Sequence, residues 1–129
     1  MSFQLFEDLV VWKRSARISS DVYKELRDIR DFGFKDQITR SGLSIPSNIA
    51  VAYKRKFQRE FITFLSYAKG SCGELRTQIY IGMDIGYITQ ETGKAWIEEA
   101  LQISMMISGL MKIKLNQLIK LSFEYEKEV

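Results

Sequence analysis

Histidine is absent from all 129 residues, and that absence alone removes most of the catalytic designs open to a small chain. Ser-His and Cys-His pairs need an imidazole as base, and helical di-iron sites need Glu-x-x-His. A single cysteine, Cys72, excludes an internal disulfide and any zinc site built on several thiolates. It fits a reducing compartment, so the expected location is cytoplasmic. Long apolar runs are also missing. The longest mostly apolar stretch, Ile103 to Ile113, is interrupted by Ser104, Ser108, Gly109 and Lys112, well short of the ~20 residues a helical span needs. The first residues, Met1 to Asp8, end acidic where an export leader would be basic. No cofactor, metal or membrane partner is expected.

Proline is nearly absent too. Pro46, the only one, falls inside a stretch that otherwise reads as helix. There it removes a backbone donor and presses on the carbonyl of Gly42, at a cost of about 3 kcal/mol unless neighbours compensate. Ser44, Ser47 and Asn48 are placed to supply local partners. The spacing therefore predicts a second helix kinked by proline.

What is present is helical periodicity without strand, repeat or low-complexity signals. A first helix is predicted over about 7–30, with Leu9, Trp12, Ala16, Ser19, Tyr23 and Leu26 as its main stripe and Val11, Ile18, Val22 and Ile29 as a second. Gly33 interrupts the pattern between Asp31 and Lys35, and a second helix should run over about 36–53. The third, about 57–85, is expected to bury Phe57, Phe61, Phe64, Ala68, Leu75 and Ile79, with Gly86 as a left-handed end. Thr89, followed by Glu91, caps a fourth whose stripe of Trp96, Ala100, Ile103, Ile107 and Leu110 continues toward Leu121. Short connections make consecutive helices antiparallel, so the expected fold is one all-α domain over 1–129, an up-down-up-down four-helix bundle.

That topology gathers charge. The net charge is only +3, but the turn Lys54-Arg55-Lys56-Phe57-Gln58-Arg59 holds four bases and no acid. The start of helix 1, with Lys13, Arg14 and Arg17, and the end of helix 4, with Lys112, Lys114, Lys120 and Lys127, share its pole. Acids there are Glu7, Asp8, Glu60, Glu124, Glu126 and Glu128, leaving the pole positive and the remainder slightly negative. Such a pole attracts RNA or DNA whatever the base sequence, because phosphate contacts release condensed counterions. The plainer reading is a solubilising turn that complements the C-terminal dipole of helix 2. Apolar residues off the main stripes, the second stripe of helix 1 with Ile62, Leu65, Met105 and Met111, imply a homo-oligomer.

Catalytic patterns are thin. Ser66-Tyr67-Ala68-Lys69 has the Ser-x-x-Lys spacing without its companion motifs, and Gly70 and Gly73 lack the Lys-Ser/Thr of a phosphate loop. Glu74 is expected to meet an arginine such as Arg40. The expectation is a protein without enzymatic activity.

Several segments also carry a resemblance. Phe6-Glu7-Asp8-Leu9-Val10-Val11-Trp12, Asp36-Gln37-Ile38, Ser44 to Ala50, Glu60 to Leu65, Ala68 to Gln78 and Ile85-Gly86-Tyr87-Ile88 are similar to the 23S rRNA intervening-sequence protein family of bacterial four-helix bundles. The resemblance implies a structural role for Ile45, Pro46, Ser47, Asn48, Lys69, Gly70, Ser71 and Glu74, a cyclic pentamer, and a connection to ribosomal RNA genes. Val51-Ala52 departs from the family's Glu-Gly. A protein-interaction scaffold, similar to the accessory subunits of reverse transcriptases in diversity-generating retroelements, is the alternative function.

Overall fold

The computed structural model describes residues 5–128, in which helices are joined by short turns and no strand occurs. A 3-10 turn, Phe6–Asp8, leads into α1 (Val10–Glu25), α2 (Phe32–Tyr53), α3 (Gln58–Asp84) and α4 (Gln90–Glu128). Met1 to Gln4 and the side chain of Glu128, both used above, lie outside the described residues.

Each boundary has a local cause. α2 begins at Phe32, four residues before position 36 where the spacing places its start, because the Asp31 carboxylate accepts from the amide of Phe34 at 3.1 Å and so caps the helix. Gly33 is thereby absorbed into the first turn. At the other end of the bundle's second hairpin, α3 closes on Gly86 at φ +81°. The amide of Gly86 bonds to the carbonyl of Met83 and that of Tyr87 to Gly82, the paired bonds of a Schellman end. Thr89 then caps α4 through Oγ1, which accepts from the amide of Thr92 at 3.1 Å. Tyr87 ties the two turns at this end together by donating to Asp31 at 3.0 Å.

The helices form a four-membered ring of neighbours. α1 and α3 each pack on α2 and α4, and neither diagonal pair comes within 8 Å, Cα to Cα, among the described residues. Partners run in opposite order along each seam: Tyr53 stacks on Phe61 while Ser41 reaches Glu74, and Phe61 lies under Lys114 while Tyr80 shares a hollow with Gln90 and Lys94. This is the pairing of antiparallel neighbours.

The core corrects the reading of α1. Both stripes reach the core: Leu9, Ser19 and Leu26 of the main stripe and Val11, Ile18 and Val22 of the second are buried, while Tyr23 is exposed and Trp12, Ala16 and Ile29 are half-buried. Both stripes have helical spacing, so bulk decides which of their members go inside. α1 approaches α2 closely where Ser19 faces Gly42, 3.6 Å from its Cα to an ideal Cβ there. Only slender residues fit that centre, while Trp12 and Tyr23 are displaced into a groove of about 400 Å³ with Leu43, Pro46 and Ser47. Leu65, read as surplus, is fully buried in the same core. Of the residues that implied a homo-oligomer, Val11, Ile18, Val22 and Leu65 are interior, Ile29, Ile62 and Met111 are half-buried, and Met105 is 72% exposed.

One ion pair joins the helices in mid-bundle. Arg14 Nε donates to Glu99 Oε2 at 2.9 Å, and Nη2 reaches both Glu99 Oε1 and Gln102. The hydrogen bond from Arg14, aided by its charge and opposed by partial burial, holds the Glu99 carboxyl below its ordinary 4.5. A carboxylate whose pKa falls on folding adds stability above its unfolded value and loses it as the pH drops through the folded one. Glu99→Gln should therefore cost less than about 1 kcal/mol at neutral pH, since both groups are about one-third exposed. Urea titrations should show the wild-type and variant curves converging below pH 4.5.

Candidate nucleic-acid interface

The turn between α2 and α3 exposes all four of its bases. Lys54 follows α2 directly, Arg55 and Lys56 continue the turn, and Arg59 lies in the first turn of α3. Three aromatic rings brace this pole. Lys54 Nζ sits 5.7 Å above Phe6, the Arg55 guanidinium 4.8 Å above Phe64, and Lys114 Nζ 5.1 Å above Phe61. Each ring face attracts the cation and limits its side chain's wandering, so the charges are held in place without acids to neutralise them.

Phe57 is the residue that periodicity misplaces. Four residues before Phe61, it belongs on the buried face of a continued helix, yet it is 68% exposed. It sits just outside α3 with φ −101° and ψ 136°, extended rather than helical, so the 3.6-residue repeat does not reach it. A large bare ring among four bases is the composition of a single-strand binding surface. Its position before the first helical residue is the only sequence signal that could have found it.

The other expected bases divide. Lys13, Arg17 and Lys112 are exposed around the same pole. Arg14 is not free to act there, because Glu99 and Gln102 occupy its guanidinium. Lys120 and Lys127 lie farther out on α4, beyond the helix's last contact with Phe61. Without Arg14 and that outer segment the pole keeps Lys13, Arg17, Lys54, Arg55, Lys56, Arg59, Lys112 and Lys114 against Glu7, Asp8 and Glu60.

The motif residues build the α2–α3 seam. Ile45 and Pro46 are buried and Ser47 is exposed at the α1–α2 groove. Asn48 donates to the Ser44 carbonyl at 2.8 Å rather than to that of Gly42. Ser71 donates to the Tyr67 carbonyl at 3.1 Å, which leaves Ser44 to donate to Ser71 Oγ across the seam. Glu74 accepts from Ser41 at 3.4 Å and does not meet Arg40, which pairs with Asp36 on its own helix at 3.0 Å. Arg40 and Asp36 are four apart, closer at hand than any residue of α3. Lys69 and Gly70 face solvent, and Ala52, where the resemblance expects glycine, is fully buried.

The Cys72 thiol is pushed up to about 12 by burial, which Arg76 only partly offsets, so it carries almost no thiolate at neutral pH. No group of three or more metal-capable side chains occurs among the described residues. No described helix is long and apolar enough to cross a membrane.

The sequence profile of the 23S rRNA-intervening sequence proteins matches residues 7–109. The chain belongs to this family. A crystal structure of a protein with unknown function from the S23 ribosomal protein family of Bacteroides thetaiotaomicron VPI-5482 has the same fold, with 26% identity and a TM-score of 0.75. The similarity covers 80% of this chain and 99% of that one. No curated protein matches. The family match takes in α1 to α3 and the first part of α4, while α4 beyond Gly109 lies outside it.

Proposed function

We propose that this protein is a non-enzymatic binder of RNA or DNA, holding phosphates on the pole formed by Lys54, Arg55, Lys56 and Arg59. The observation that carries the reading is the exposed turn itself, four bases without an acid around the bare ring of Phe57. Membership in a family named for intervening sequences of 23S rRNA, and likeness to an S23 ribosomal protein family member, support a nucleic acid over other polyanions.

The arrangement assigns separate tasks. Bases contact phosphates and set affinity and salt dependence, while Phe57 offers a face on which an unpaired base stacks whatever its identity. Phe57→Ala should weaken binding to single strands by about 1–3 kcal/mol, leave duplex binding nearly unchanged and keep the salt slope. Fluorescence anisotropy with matched single- and double-stranded probes makes the comparison. Equal losses for both would remove the stacking role, and no binding of wild-type protein to either would remove the function.

A further inference from the structure

The hairpin between α1 and α2 lies at the other pole from the basic turn, about 33 Å away along the 22 residues of α2. It flanks a groove of about 730 Å³, within the range of small-molecule clefts. Tyr23, Lys24 and Arg27 form the α1 wall. Phe32, Lys35 and Asp36, from the first turns of α2, form the other.

Charge is sorted by flank here, against the slightly negative balance of this half of the molecule. α1 turns Asp21 and Glu25 toward α4, where they line a separate hollow with Glu91 and Trp96, and Lys24 stands on the ridge between the two. Among the described residues no carboxylate pairs with Lys24, Arg27 or Lys35. The one acid of the groove, Asp36, is taken by Arg40 at 3.0 Å. Three cations therefore share one groove with no anion of the chain to satisfy them.

Lys35 is held in place. Its Nζ donates to the carbonyl of Arg27 at 3.2 Å, which ties the hairpin, and lies 5.1 Å from the centre of the Phe32 ring. Two of its three donors remain for a ligand. The rings are as unsatisfied as the charges, Phe32 being 70% exposed and Tyr23 48%. Folding gains little from either in that position, whereas a planar group entering the groove meets aromatic surface on both walls.

We propose that this groove binds a nucleoside phosphate carrying two or more phosphoryl groups. The phosphates lie on Lys24, Arg27 and Lys35, where the guanidinium offers a planar fork and the ammonium groups offer point charges. The base lies on Phe32 or Tyr23, a contact open to any base because each has a π-face. Asp36 bonds Arg40 through Oδ2 alone, which leaves Oδ1 to accept from a ribose hydroxyl. An inorganic polyphosphate satisfies the cations without using the rings, and an uncharged aromatic uses the rings without the cations. A nucleotide joins both.

Equilibrium dialysis of the full chain against radiolabelled ADP tests this, with adenosine and pyrophosphate as competitors. ADP should bind saturably, and each competitor should bind more weakly by about tenfold or more. Arg27→Gln and Lys24→Gln should each lower ADP affinity by about tenfold, the worth of one charge-assisted hydrogen bond. Phe32→Ala should lower it by about as much, and Phe32→Tyr should keep it. All three side chains are exposed, so melting should not change. No saturable binding of ADP at millimolar concentration, pyrophosphate competing as well as ADP itself, or full ADP affinity in Arg27→Gln would each overturn the inference. Changing Lys54, Arg55, Lys56 and Arg59 together to Gln should leave ADP binding intact, so this groove stands or falls apart from the basic pole. Loss of ADP binding in that variant would place the nucleotide at the other pole and contradict the proposal.

Discussion

Changing Lys54, Arg55, Lys56 and Arg59 together to Gln should lower affinity for every RNA and DNA sequence alike, and should flatten its dependence on salt. Each phosphate contact contributes about 0.7 to the slope of log K against log salt for single strands and about 0.9 for duplex. Four lost contacts therefore reduce the slope by about 3 units per protomer. All four side chains are exposed, so the change reaches folding only through the cation–π contacts of Lys54 with Phe6 and Arg55 with Phe64. Those are worth roughly 0.5–1 kcal/mol each at exposed sites. Thermal melting of the variant should thus fall slightly while binding falls greatly. A variant that keeps both affinity and slope would show that phosphates bind elsewhere.

The largest effect on folding is expected at Ile18. It is 2% exposed at the centre of α1, and Ile18→Ala should cost about 2–5 kcal/mol. For a domain of this size that lowers the melting temperature by on the order of 10 °C. Tyr23→Ala, in the stripe with the more conspicuous side chains, should cost far less, because Tyr23 is 48% exposed. Equal losses at the two positions in chemical or thermal unfolding would contradict the assignment of the core.

Residues on the helices were legible where one physical rule acted alone. Gly86 ends α3 and Thr89 caps α4 because a left-handed glycine and a side-chain acceptor have no competing use there. α1 was legible as a helix but not in its orientation, since two adjacent stripes satisfy the same repeat and both contribute to the core, Leu9, Ser19 and Leu26 from one and Val11, Ile18 and Val22 from the other. The basic turn could be read from composition, being a run of bases between two helices. The state of its neighbours could not. Arg14 looks identical to Arg17 in the sequence, and only the packing of α1 on α4 brings Glu99 within reach of one of them. Phe57 was lost for the opposite reason: a periodic pattern was extended one residue past the helix that produces it.

Nucleic-acid binding by the basic pole is tested most directly with the wild-type chain and two fluorescent single-stranded RNAs of unrelated sequence, titrated from low to physiological salt. A pole that holds phosphates and stacks bases without reading them predicts tight binding at low salt and a linear fall of log K with log salt, with the same slope for both strands. Failure to bind either strand at the lowest salt, or an affinity that does not respond to salt, would contradict it.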